Sequence, residues 1–356
     1  MKKTRLVLFF CLIFTFLTLI PNCVFAAGAG TDLLDDISNM FLPKKEYQQQ
    51  QKVILGGIPV GISLNNDCVE IVGFSQIIAD EGAFSPACDA GLQIGDKITH
   101  INGQKITKTE QISQFAENSK ILKVSFLRNG QKNQTEIYPK KDVLTEKYRL
   151  GMWLRDQSFG IGTLTFVKDG CYFASLGHPI TSKNGDILEI VGGKVHDCNI
   201  TGVNKGLVGN AGELKGTFNN QQFLGQIFSN NKFGVYGKFD QMPNALDCSK
   251  EIEVANPDEI KPGKAQIYST IDGNQPQLYE IEIIKVKNAN INEEKGLVIK
   301  VTDKNLLSKT GGIVQGMSGS PIIQNEKLVG AVTHVFINDP TRGYGVLIQN
   351  MMNAAE

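Results

Sequence analysis

A serine framed by glycines, GMSGSPII at residues 316–323, has the types and spacing that acyl transfer requires. Gly316 lets the backbone turn tightly with its N–H aimed inward, Ser318 presents an attacking hydroxyl, and Gly319 leaves room for a substrate carbonyl. The N–H groups of Gly316 and Ser318 are then placed to converge on the oxyanion that forms. Glycine, serine and proline also cluster in ordinary β-turns, so the assignment depends on partners.

The hydroxyl needs a base, and the chain has four histidines: His100, His178, His196 and His334. His334 lies in GAVTHVF, which reads as a buried strand, and His100 falls in a separate module described below. His196, in GGKVHDCNI next to Asp197, suits a solvated surface group. His178 sits in FASLGHPI, where a strand-like run breaks at Gly177 and meets Pro179, so its imidazole lands on a turn at a strand end. It is the candidate base. The third member should be a carboxylate that accepts the imidazole N–H and fixes its tautomer. GLVIKVTD, residues 296–303, alternates as a half-buried strand does and ends on Asp303. The chain then returns as IVQGMSGSP, so Asp303 and Ser318 are expected at one end of a sheet with His178 between them. The other reading of Asp303 is a strand-end aspartate capping a turn.

SLGHPI, VTDKNLLSKTGGIVQGMSGSPII and GAVTHVFINDPTRGYGV, in this order behind a PDZ-like segment, resemble the stage IV sporulation protein B peptidases of endospore-forming bacteria. The resemblance implies a serine peptidase of trypsin-like double β-barrel type with a His, Asp, Ser triad, which falls on His178, Asp303 and Ser318. It also implies export from the forespore, self-processing, and cleavage of a membrane-bound regulator that releases an intramembrane protease in a sigma-factor pathway. Two departures from chymotrypsin-like enzymes stand out. Asp303 precedes Ser318 by only fifteen residues, and Met317 occupies a place where an acid often pairs with a freed N-terminus. Activation by such an ion pair is excluded.

The elements that position these groups form two modules. GGIPVGISLNND, residues 56–67, resembles the carboxylate-binding loop and first strand of a PDZ domain, which places peptide binding at the backbones of Val60, Gly61, Ile62 and Ser63. SPACDAGLQIGDKITHINGQKI, residues 85–106, resembles the PDZ core: a short helical turn ending at Ala90 and Gly91, a tight turn at Gly95 and Asp96, and a strand leading into an Asn102-Gly103 hairpin. His100 lies on that strand. The groove either takes a peptide or braces the peptidase as part of its own chain.

Thirty-six basic residues balance thirty-six acidic ones without a basic stripe, so nothing points to nucleic acid. Lys2, Lys3 and Arg5 precede an apolar run from Leu6 to Ile20 and then VFAAGAG, the pattern of a secretory signal that could also remain as a membrane anchor. Seven cysteines, two of them in the leader, show no CxxC spacing, which suggests free thiols and neither a disulfide framework nor a metal site. No cofactor is expected. Thirty-seven glycines with short helical patterns point to a mainly β chain.

The expected layout is therefore a signal peptide or anchor over 1–26, a linker over 27–52, a PDZ domain over 53–140 and a trypsin-like double β-barrel serine peptidase domain over 141–356. Its place is outside the cytoplasmic membrane, between the forespore and mother-cell membranes, acting on a protein substrate. Two other readings are a secreted PDZ scaffold without catalysis and a general stress protease. The second normally places the protease before the PDZ domain, the reverse of the order here.

Overall fold

The structure, a computed structural model, describes residues 51–182, 185–287 and 293–355. The leader and nearly all of the expected linker lie outside the described residues. Strand β1 (Lys52–Leu55) is followed by β2 (Pro59–Phe74), whose sixteen residues feed two different cores. Val60, Ile62 and Leu64 pack into one, and Val69 and Ile71 into another. Burial on alternate residues of one long strand is what lets it serve both.

The second of these cores belongs to the PDZ module. It contains α1 (Pro86–Asp89), β3 (Lys97–Ile101), α2 (Thr109–Asn118), β4 (Leu122–Arg128) and β5 (Gln131–Ile137). The end of β2 pairs with β3, β3 with β4 and β4 with β5. Asn102 and Gly103 both have positive φ, as a two-residue hairpin turn demands, and Ile101 pairs directly across it with Gln104. Ile112 and Ala116, four apart on α2, turn the same helical face to this core. Asp156 accepts bonds from the backbone and hydroxyl of Thr109, which fixes the start of α2 to the next long strand.

That strand, β6 (Met152–Lys168), begins a closed barrel. With β7 (Tyr172–Ser175), β8 (Ile190–Asp197), β9 (Gly225–Asn231) and β10 (Gly234–Phe239), it forms the antiparallel ring β2-β6-β7-β10-β9-β8. After β11 (Glu251–Val254), a second ring follows: β12 (Gly263–Ser269), β13 (Gln277–Val286), β14 (Leu297–Val301), β15 (Pro321–Gln324), β16 (Lys327–Phe336) and β17 (Asp339–Leu347). Pairings run β12-β13-β14-β17-β16-β15 and back to β12. Helix α3 (Lys304–Thr310) lies between β14 and β15, and α4 (Ile348–Asn353) closes the chain. Two six-stranded barrels follow the PDZ module, so the chain is mainly β. The five cysteines among the described residues are free thiols.

One expectation is corrected. Residues 53–65 do not open the PDZ module; they are barrel structure. Val60 to Ser63 pair with Gly162 to Phe159 of β6 on one edge and with Asp197 to Lys194 of β8 on the other. With both edges occupied, no peptide can add a strand there, and their carboxylate-binding assignment falls. Amide hydrogen exchange checks the point: Val60, Gly61, Ile62 and Ser63 are expected among the slowest-exchanging amides, whether or not a peptide is present.

Candidate active site

Thr163 and Thr165 are two apart on β6 and turn their hydroxyls to the same side. They grip the serine turn of the second barrel. Thr163 Oγ1 donates to the Gly316 carbonyl at 2.8 Å, the Thr163 N–H to the Ser318 carbonyl at 2.9 Å, and Thr165 Oγ1 to the Gly319 carbonyl at 2.8 Å. Gly316 and Gly319 have φ of +95° and +93°, and a Cβ on Gly319 would collide with the Thr163 carbonyl oxygen. Only glycine fits that close approach. Ser320 is tied inside the turn to Met317 and to Ser269, while Met317 fills the second barrel's core. The N–H groups of Gly316 and Ser318 donate to nothing among the described residues, which leaves both for an oxyanion. The Ser318 hydroxyl donates to the Thr333 carbonyl of β16 at 2.8 Å.

His178 arrives from the first barrel. Just before it, Leu176 has φ +70° and the Gly177 N–H bonds back to the Ser175 carbonyl at 2.9 Å, a strained γ-turn held in place by burial of the Leu176 side chain. His178 and Ser318 line one cleft of about 720 Å³, with walls from both barrels. Nδ1 of His178 lies 2.8 Å from the Pro179 carbonyl. A carbonyl only accepts, so Nδ1 carries the proton and Nε2 keeps its lone pair in the neutral ring. Burial pushes the His178 pKa down, opposed by the bond to Pro179 and by Glu294, which faces the same cleft. The His334 ring packs on it, with centroids 4.7 Å apart. Burial, then His178 and Lys295, push the His334 pKa down to about 4.

Asp303 does not join this pair. Its Oδ1 accepts from the Leu306 N–H at 2.8 Å, making it the N-cap of α3, and its Oδ2 lies 3.4 Å from the Glu280 N–H. Glu294, before the start of β14, borders the cleft, whereas Asp303 lies beyond the strand's other end, with about 13 Å of strand between. Strand polarity does put Asp303, which follows β14, and Ser318, which precedes β15, at the same end of the second barrel, as expected; at that end the Asp303 carboxylate caps α3 and makes no hydrogen bond to His178 among the described residues. His196 is a satisfied core residue: its Nδ1 faces the Gln222 carbonyl at 2.8 Å, and its Nε2 takes the Ser63 hydroxyl at 2.8 Å.

A second groove, of about 370 Å³, runs between α2 and the first residues of β6, with Ile112 and Ala116 on one wall and Leu150 to Leu154 on the other. Met152 to Leu154 pair with β2 along one edge; the other edge takes no strand among the described residues. The N–H groups of Leu150 and Gly151 likewise donate to nothing among them. This, and not Val60 to Ser63, is where the PDZ module offers an open strand edge beside a helix.

Several residues of the site do not follow from the sequence pattern. Thr163 and Thr165 carry a signal, two hydroxyls at strand spacing beside apolar neighbours, but a weak one. His334 has the sequence context of strand packing, yet it stacks on His178. Glu294 and Asn230 carry no local signal, since their partners lie more than forty residues away.

Paired six-stranded barrels with a serine turn and an imidazole across their shared cleft, joined to a PDZ module, define a PDZ-linked serine peptidase. The chain belongs to the SpoIVB peptidase S55 family, whose profile matches residues 146–352, more than half of its length. A PDZ domain profile matches residues 77–124. Among solved structures, the PDZ domain of the SdrC-like protein from Listeria monocytogenes is similar, at 22% identity over 25% of this chain and 90% of that one, with a TM-score of 0.21. The protein is thus a sporulation serine peptidase with a PDZ domain, a hydrolase acting on peptide bonds.

Only neutral His178 can take a proton, and its pKa is depressed, so the acid limb of serine acylation should lie below pH 6.5. His334 has the same sign in stability: the unfolded chain takes up its proton first, so stability is level above pH 6.5 and falls as pH drops towards 4. Urea titrations across pH would read that slope. Thr165→Val leaves the buried Gly319 carbonyl unpaired and should cost about 1–2 kcal/mol in urea unfolding.

Proposed function

We propose that the protein is an exported serine endopeptidase in which Ser318 is the nucleophile and His178 the general base. The observation that supports this reading is the convergence, in one cleft, of the Ser318 hydroxyl, an imidazole whose Nε2 is unprotonated, and the two undonated N–H groups of Gly316 and Ser318. Catalysis starts when the hydroxyl leaves the Thr333 carbonyl, by rotation about Cα–Cβ, for Nε2 of His178. The oxygen attacks the peptide carbonyl, the two N–H groups hold the oxyanion, and His178 returns the proton to the leaving amine. Water then attacks the acyl-enzyme with its proton passing to His178, which releases the new carboxylate and restores the serine.

The family resemblance supports a narrow biological role for this chemistry. The protein processes its own chain and a membrane-associated regulator during endospore formation, in the space between the two membranes. The groove between α2 and β6 suits an extended peptide, from a partner or from the protein's own chain, as an added strand. The test is expression without the leader, as wild type and as Ser318→Ala. Wild type should process itself and take a fluorophosphonate label on Ser318, and Ser318→Ala should lose about 10⁴-fold or more in turnover. Labelling that persists in Ser318→Ala removes the nucleophile, and a folded wild type that takes no label removes the peptidase mechanism.

A further inference from the structure

We propose that Val335 and Ile313 set what the peptidase cuts: they close a shallow apolar pocket that admits alanine or valine just before the scissile bond and refuses aromatic and charged residues. The proposal rests on the reading of Ser318 as nucleophile and of the Gly316 and Ser318 N–H groups as oxyanion donors.

Those groups fix where that residue must lie. The attacked carbon comes within bonding reach of Ser318 Oγ, with its oxygen on the two N–H groups. When the Ser318 hydroxyl leaves the Thr333 carbonyl, that carbonyl becomes a free acceptor for the N–H of the same substrate residue. Past Ala331, β16 pairs with β17 on one edge and with no strand on the other among the described residues. An extended substrate can therefore lie along residues 333–335, with the side chain before the scissile bond directed between this stretch and the segment that leads into Gly316.

Ala211, Ile313, Gln315, Val335 and Ile337 line the cleft there, and none of them carries a charge. One wall is held as a strand: the Gln315 N–H donates to the Gly212 carbonyl and its carbonyl accepts from the Leu214 N–H, each at 2.8 Å. Ile313 is 2% exposed, and its N–H donates to the Pro340 carbonyl at 2.8 Å. Val335 lies directly across from Gly343 in the β16–β17 ladder. A Cβ on Gly343 would come within 2.7 Å of Ile313 Cδ1, so the tip of Ile313 fills the space that this glycine leaves. The depth is thus already taken, and the β-branched Val335, stiff at χ1, narrows what remains. A charged side chain entering here would lose its water and meet no counter-charge. Glu294, the one Asp, Glu, Lys or Arg lining the cleft among the described residues, acts on His178.

The test uses the full chain and peptidyl diphenyl phosphonates that differ only in the side chain next to phosphorus: that of alanine, valine, phenylalanine, lysine or glutamate. Ser318 Oγ bonds to phosphorus and phenol leaves with the serine proton, so the labelling rate reads how each side chain fits. The alanine and valine probes should label wild type about tenfold or more faster than the other three. Val335→Gly should raise the ratio of the phenylalanine rate to the valine rate by about tenfold or more, a ratio taken within one protein and independent of how much of it is active. A wild type that takes the phenylalanine, lysine or glutamate probe as fast as the valine probe overturns the proposal, and so does a folded Val335→Gly with an unchanged ratio. The wild-type ranking decides the matter where Val335→Gly fails to fold. A wild type that takes a simple fluorophosphonate but ranks the probes equally loses the pocket alone; one that takes no fluorophosphonate loses the nucleophile on which the pocket rests.

Discussion

The bonds from Thr163 and Thr165 to the serine turn join the two barrels at the point where their side chains must meet. Ser318 is carried by one barrel and His178 by the other, and any slip between the barrels would separate them. Three hydrogen bonds from a single strand edge to the carbonyls of Gly316, Ser318 and Gly319 remove that freedom. They consume the carbonyls of Gly316, Ser318 and Gly319, while the N–H groups of Met317, Gly319 and Ser320 bond within the second barrel, which leaves those of Gly316 and Ser318 undonated among the described residues.

Around that seam the structure is continuous in an unusual direction. β2 and β6 run unbroken from the PDZ module into the first barrel, paired from Phe74 and Met152 at one end to Pro59 and Thr163 at the other. Register shifts interrupt the ladder near Arg155, where the strands leave one core for the other. The free strand edge beside α2 and the threonines that hold the serine turn are therefore parts of one strand, β6. A peptide seated in the groove would lie on the same backbone that grips Gly316, which gives groove and cleft a physical connection without a flexible linker between them.

Much of the local structure was legible in the chain. The Asn102-Gly103 hairpin, the turn after α1 and the positive φ at Gly316 and Gly319 each follow from demands confined to a few residues. The two partners that line the cleft, His178 and Ser318, were legible because each sits where a strand pattern breaks on glycine. Val60 to Ser63 misled because a glycine-rich strand entry looks alike whether its edges stay open, as in a PDZ loop, or are both filled, as here. Asp303 was ambiguous for a related reason: a carboxylate at a strand end suits a catalytic acid and a helix cap equally, and the Leu306 N–H that it caps is only three residues on.

The sequence by itself determined the local elements, the serine turn and the family, because backbone preferences and turn chemistry are set by near neighbours. Only the tertiary structure decided which strand edges are filled, which carbonyl His178 meets, and that one strand serves both modules. Those outcomes depend on closing two rings of strands across more than a hundred residues, and the partner an edge or an amide finds at closure leaves no mark in its own sequence.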